Sequence, residues 1–362
     1  MTDPRTEGRP TLVAVGTPRS WPRHWSAAAE RALGAFAARV DVTLDPEAPA
    51  AEREAAVDHA LREADGLLLC GWGDLGIGYL TAQRLAQAPR LRFIGSTCHY
   101  RQAEFVDVAA ARDRGIALCE TAPLMSPWVA EYELALVLAA LRGLPQEHEA
   151  VGRGGWRDPA AGAEGRDERF DRLQGRRVGL ASFGEIHRHL VRLLGPFEAD
   201  WAAYDPYVPA ERIAAAGGRK VDDLVALAAR SEVFCVATPP TPQTLGLIGR
   251  SVVDALPRDG VVVLVSRMAV VDQAPLLDRL RRGELRAAID VYDPEPPSAD
   301  SPWRSLPNVI HTPHRAGATA GAHRAVFLGQ CQEARRYFAG EALTLPLRPE
   351  LVALFDRRED AR

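Results

Sequence analysis

Short runs rich in Val, Leu and Ile alternate with helix-patterned stretches along this chain, and they do so in two blocks. In the first block the runs lie at 11–16, 40–44, 66–70, 91–95 and 116–119; in the second they lie at 177–181, 201–204, 233–237, 261–265, 287–291 and 308–311. Strands that alternate with helices build parallel sheets, because each parallel pair needs a crossover that a helix supplies. Near-continuous apolar runs indicate strands covered on both faces. The expectation is an α/β protein with two doubly wound parallel sheets. A chain of 362 residues, longer than one hydrophobic core usually supports, agrees with two domains.

Composition narrows the function. With 47% hydrophobic and 25% charged residues the chain is of the folded globular type, and a net charge of -4 gives no reason to expect a nucleic-acid partner. The cysteines, Cys70, Cys98, Cys119, Cys235 and Cys331, are odd in number and scattered through apolar stretches. They suit reduced, buried thiols and show neither a disulfide framework nor metal-ligand spacing, so a cytoplasmic protein without a metal is expected. No apolar leader stands at the N-terminus, and no uninterrupted apolar run approaches the roughly 18 residues of a membrane span, so no membrane association is expected. Lys220 is the sole lysine, set in a polar Gly-Arg-Lys turn, which argues against Schiff-base chemistry.

Between the blocks, Ser126 is placed to cap a helix and Pro127 to occupy its first turn, with the helix running to about Leu141. Its apolar residues (Val129, Ala135, Leu136, Val137, Leu138, Ala139) lie nearly all round, which predicts burial on more than one side, at a hinge or a subunit interface. Residues 152–173 read as a surface connection, 320–339 as a helix, and the charged tail from Asp356 as frayed.

The second block opens on a strand-to-helix turn, Val-Gly-Leu-Ala-Ser-Phe-Gly-Glu-Ile-His at 178–187. This is a degenerate form of G-x-G-x-x-G, whose glycines allow a tight turn, close approach of a pyrophosphate, and helix packing. Gly184 keeps the middle position, Ser182 replaces the first glycine and His187 the third, while Glu185 brings a negative charge. Gly184, Glu185 and Ile186 are the candidate phosphate contacts. Asp205 ends the next strand roughly 20 residues on, where a carboxylate accepts from ribose hydroxyls and disfavours a 2′-phosphate. NAD is favoured accordingly. The competing reading makes Asp205 only the start of the Asp205-Pro206 turn.

Four further segments carry a resemblance. They are Thr238-Pro239-Pro240-Thr241-Pro242-Gln243-Thr244; Ser266-Arg267-Met268-Ala269-Val270-Val271-Asp272; Asp290-Val291-Tyr292-Asp293-Pro294-Glu295-Pro296; and Thr312-Pro313-His314. In this order, over residues 91–345, the chain resembles the D-isomer-specific 2-hydroxyacid dehydrogenases. The resemblance implies a flavodoxin-like substrate domain from residues 1–123 and 320–362, and an inserted Rossmann domain from 124–319. It also implies a homodimer through the helix that begins Val129-Ala130-Glu131-Tyr132. It assigns catalysis to Arg267, Glu295 and His314, cofactor contacts to Pro239, Thr244 and Asp290, and substrate contacts to the loop of Cys98, His99, Tyr100 and Arg101. That loop lacks the family's glycines, and Met268 stands where the family has another.

The chemistry asks for the same residue types. Reducing a 2-oxo acid needs a fixed cation for carboxylate and carbonyl, a proton donor for the developing alkoxide, and a hydride donor. Arg267 suits the first task through its planar fork, and His314 suits the second when protonated, with Glu295 stabilising the imidazolium and holding its ring. Two rivals stay open: a dehydrogenase-like module that senses nucleotide or binds protein, and a relative acting on another donor such as formate or phosphite. His311, at or near the end of its strand, is read as structural.

Overall fold

The alternation becomes two parallel sheets in the computed structural model, which describes residues 8–73, 75–156 and 171–355. The chain divides into two units, Met1–Met125 with Ala318–Arg362, and Ser126–Gly317.

The first unit holds β1 (Thr11–Gly16), β2 (Ala38–Thr43), β3 (Gly66–Leu69), β4 (Phe93–Ser96) and β5 (Ala117–Glu120). All pair in parallel, in the order β2-β1-β3-β4-β5, which is the flavodoxin-like order. Side chains that alternate along the strands serve two faces. Leu12, Leu68 and Phe93 pack with Phe327 and Ala334 of the helix Ala320–Phe338, while Val13, Val15, Leu67 and Leu69 pack with Val57 and Leu61 of the helix Ala50–Leu61.

The second unit holds β6 (Arg177–Ala181), β7 (Asp200–Tyr204), β8 (Arg219–Lys220), β9 (Val233–Val236), β10 (Gly260–Leu264), β11 (Leu285–Ile289) and β12 (Val309–His311). Their order is β12-β11-β10-β9-β6-β7-β8, again all parallel, as in a Rossmann sheet extended by one strand. The order reverses at β6, which lies between β7 and β9, and ligands of open α/β sheets bind beyond the carboxyl ends of strands at such a point. Strand β8 was not expected. Its two residues, Arg219 and Lys220, carry no apolar signal, and only pairing with Ala202 and Ala203 at the sheet edge makes them a strand.

In the helix Ser126–Arg142, Val129, Ala130, Glu133, Leu136, Val137, Ala140 and Leu141 form a single stripe buried within the chain. Within the single chain Leu138 and Ala139 are half-buried and Ala135 is exposed. Ser126 is the first helical residue and not a residue preceding the helix. By length and composition alone the stretch Ala122–Arg142 could cross a membrane, although Glu131 and Glu133 interrupt its apolar run; half of it is buried inside the fold. Most of the expected connection at 152–173 and the tail from Asp356 lie outside the described residues.

Candidate active site

Asp290 follows β11 and is fully buried. Its carboxylate accepts from the Thr312 hydroxyl (2.5 Å) and the amides of Arg315 (2.8 Å) and Ala316 (2.9 Å), and its carbonyl accepts from the His314 amide (2.8 Å). These bonds hold a turn in which His314 takes a φ of +52°, a left-handed conformation that non-glycine residues rarely adopt. Asp290, expected near the nicotinamide carboxamide, is thus first the clamp of the turn that presents His314.

The His314 ring is held from both sides. Its Nδ1 lies 2.8 Å from Glu295 Oε2, and Glu295 Oε1 accepts from the Tyr292 amide at 2.8 Å. Its Nε2 lies 3.4 Å from Arg267 Nη1, which also donates to the Ser266 carbonyl at 2.7 Å. A proton on Nδ1 satisfies Glu295, and Nε2 is left as the exchangeable nitrogen beside a fixed guanidinium. The side chains of His314 and Glu295 are 39% and 35% exposed, so a substrate can reach them. Arg267, Glu295 and His314 are therefore brought together although they are spread along the sequence. Met268 packs in the core of this unit, and His311 bonds to the Tyr292 hydroxyl (2.9 Å).

The strand-to-helix turn after β6 lies at the switch point. The helix Glu185–Leu194 begins there with Gly184 as its N-cap, and a Cβ placed on Gly184 would meet nothing within 4 Å. The first amides of a helix have no intrahelical acceptor, so this end offers donors and a positive dipole to a phosphate. Glu185, expected to oppose that, is paired with Arg188 (2.5 Å). Asp205 directly follows β7 and accepts from the amides of Phe183 (2.8 Å) and Tyr207 (2.9 Å). It both starts its turn and ties the two strand ends together, and a carboxylate has lone pairs to spare for ribose hydroxyls. Thr244 accepts from the Thr241 amide and donates to the Pro239 carbonyl, which makes it a brace of the turn after β9. An open glycine, a free helix end and a carboxylate on the neighbouring strand fit a dinucleotide.

Two residues here escaped sequence reasoning. Glu133, on the buried stripe of the helix Ser126–Arg142, lies 3.3 Å from Nε2 of the equally buried His187, whose Nδ1 donates to the Ser182 carbonyl at 2.8 Å. A charged residue among apolar stripe positions was the available signal. In the other unit Glu120, at the end of β5, is buried and accepts from the amides of Cys98 (3.1 Å), Tyr100 (2.9 Å) and Ala122 (2.7 Å) and from Gln102 Nε2 (2.7 Å). The loop expected to contact the substrate thus already holds a carboxylate of its own. His99 and Tyr100 are left-handed, His99 packs edge-on to Trp72, Tyr100 bonds to Arg348, and Arg101 pairs loosely with Glu104 (3.8 Å). Among the described residues no group of His, Cys, Asp and Glu could hold a metal ion.

Fold and switch-point geometry together define a dinucleotide-binding α/β protein. Comparison with known proteins makes this specific. Residues 134–316 match the model for the D-isomer specific 2-hydroxyacid dehydrogenase, NAD binding domain. Among curated relatives, D-3-phosphoglycerate dehydrogenase of Methanocaldococcus jannaschii is 31% identical over 72% of this chain and 48% of its own. The chloroplastic/mitochondrial formate dehydrogenase of Arabidopsis thaliana is 28% identical over 73% of this chain and 67% of its own. A solved phosphoglycerate oxidoreductase from Rhizobium etli superposes with a TM-score of 0.75 at 26% identity, covering 93% of this chain and 98% of that one. The chain belongs to the D-isomer-specific 2-hydroxyacid dehydrogenase family, and its second unit is the family's NAD-binding domain. It spans about half the length of the first curated relatives it matches.

Proposed function

We propose that the protein is an oxidoreductase that passes a hydride between NAD(H) and a 2-oxo acid/D-2-hydroxy acid pair. The observation that carries this is the run of contacts from Glu295 to His314 Nδ1 and from His314 Nε2 to Arg267, at 2.8 and 3.4 Å, on a turn clamped by Asp290. NADH supplies the hydride to C2 when bound. Arg267 holds the carboxylate and polarises the carbonyl through its donors. His314, protonated on Nε2, gives that proton to the developing alkoxide and is left with Nδ1–H on Glu295. In the reverse direction Nε2 takes the hydroxyl proton. Glu295, fixed by the Tyr292 amide, keeps the ring aimed in both directions.

This geometry favours an enzyme over a sensing module, since a module that only binds nucleotide needs no aimed imidazole beside a fixed guanidinium. We further infer a homodimer through the second unit, supported by half-buried Leu138 and exposed Leu144 and Val151 on successive helices, and a reducing cytoplasmic setting, supported by five free buried cysteines. Light scattering that returns a monomer at micromolar concentration would remove the dimer. The main test is to titrate the protein with NADH and NADPH by fluorescence. NADH oxidation is then followed with glyoxylate, hydroxypyruvate, phenylpyruvate and 2-oxoisocaproate. Tighter binding of NADH and turnover of at least one acid are expected; binding without turnover on any acid would return the sensing module.

A further inference from the structure

The nucleotide turn has a left-handed residue that is not glycine. Ser182 has a φ of +91°, a conformation strained for a residue with a Cβ. Its hydroxyl does not repay this, for Oγ is buried without a partner. Its amide donates to the Tyr204 carbonyl (2.8 Å), and its carbonyl accepts from His187 Nδ1 (2.8 Å). The imidazole therefore spans the turn, from the first turn of the helix back to the residue that opens it. Because a carbonyl only accepts, Nδ1 carries a proton, and the orientation of the ring is completed by Glu133 on Nε2.

We propose that His187 and Glu133 are positioning residues of the nucleotide site, a buried strut that fixes the turn in place of the two missing glycines and sets a cation behind the amides that would meet the pyrophosphate. The inference rests on the dehydrogenase reading above. Both side chains are fully buried, so neither can exchange a proton with a substrate, and His187 acts only through the Ser182 carbonyl and its own charge. The groups facing it are Glu133 from the helix Ser126–Arg142, the Ser182 carbonyl from the turn, and Asp205 from the end of β7. Cys235 of β9 lies against the same Glu133 carboxylate. Burial pulls the imidazole toward the neutral form, but the charge and hydrogen bond of Glu133, the Ser182 carbonyl and Asp205 outweigh it, and the pKa of His187 is raised.

The experiment measures the NADH dissociation constant by fluorescence from pH 6 to 9, with the melting temperature of each sample, for the wild type, Glu133→Gln, and the triple variant Glu133→Leu/Ser182→Gly/His187→Gly. In the wild type the constant should stay flat from pH 6 into the neutral range and rise as His187 loses its proton. Glu133→Gln keeps the size but removes the charge that holds the proton, so binding should weaken by about 10-fold near pH 7, the scale of one charged hydrogen bond, and lose its pH dependence. The triple variant restores the glycines and should bind without pH dependence at least as tightly as Glu133→Gln. Should Glu133→Gln not fold, ¹⁵N histidine spectra of the wild type decide: a doubly protonated His187 that shifts on adding NADH is expected, and a neutral, unmoved ring overturns the proposal. Unchanged affinity and pH profile in folded Glu133→Gln also overturn it and leave the dehydrogenase reading standing. A wild type that binds neither NADH nor NADPH sinks that reading, and this inference with it.

Discussion

The second unit contains the same pair of groups twice, in opposite surroundings. His314 with Glu295 and His187 with Glu133 each join an imidazole to a carboxylate, and each serves a turn with a left-handed non-glycine residue, His314 itself in one case and Ser182 in the other. Each turn is also tied by a buried aspartate that accepts backbone amides, Asp290 or Asp205. They differ in access: the first pair is more than a third exposed, the second not at all. Access to water lets the first pair exchange a proton at little cost to the fold, whereas the second must keep its proton or leave a charge stranded in a medium that solvates it poorly. On the proposed function, chemically equal pairs thus serve, one as a reactive device and the other as a structural one.

Breaking one member of each pair is the most direct test. Glu133→Ala leaves His187 buried without its partner and should lower the free energy of unfolding by about 3–5 kcal/mol in a denaturant titration. Glu295→Ala should hardly move the denaturation midpoint while slowing turnover. Equal stability losses in the two variants would erase the distinction. Next in size, His314→Ala and Arg267→Ala should each lower kcat/KM for the best 2-oxo acid by at least about 100-fold, with an unchanged circular dichroism spectrum. A near-normal rate in either refutes its assigned role.

A second buried histidine, His24, sharpens the comparison because it lacks a carboxylate. His24 stacks on His323 and bonds through Nδ1 to the Ser20 carbonyl (3.0 Å); burial lowers its pKa to about 4, and the charges of His323 and Arg23 act in the same direction. A depressed folded pKa means that the unfolded chain takes up the proton first, so stability held above about pH 6.5 should fall by up to about 3 kcal/mol as the pH drops to 4. His187 has the opposite sign: its raised pKa contributes stability fully present below about pH 6.5 and lost as the pH rises through the folded value. Equilibrium unfolding against pH should show both limbs, and His24→Asn should flatten only the acid one. The smallest effect is expected for Glu120→Ala, which strands the amides of Cys98, Tyr100 and Ala122 and should cost about 1–3 kcal/mol. If it costs nothing, water replaces the carboxylate in that loop.

Much of this was legible in the chain. The runs that became β1 and β6 have the expected bounds, and the others were placed within about two residues, because apolar runs bounded by turn residues report burial directly. Arg267, Glu295 and His314 were marked by the family resemblance, and their positions after strands agreed with it, since strand ends of a parallel sheet meet at one edge. What could not be read was which polar residues would find each other inside. Glu133 and His187 lie 54 positions apart. Glu120 gives no sign, as a lone acidic residue after an apolar run, that five donors will close around it.

The sequence by itself determined that the chain would form two parallel α/β units, since strand and helix periodicity are local properties that burial turns into sheets. It also determined that the turn at 182–187 would depart from the glycine pattern. Only the tertiary structure decided what that departure means. A histidine in place of a glycine reads as an obstacle along the chain, and becomes a strut because a different helix places a carboxylate 3.3 Å from its far nitrogen. Hydrogen bonds between buried side chains depend on distances set by the packing of whole elements, and that information is not carried by any one segment.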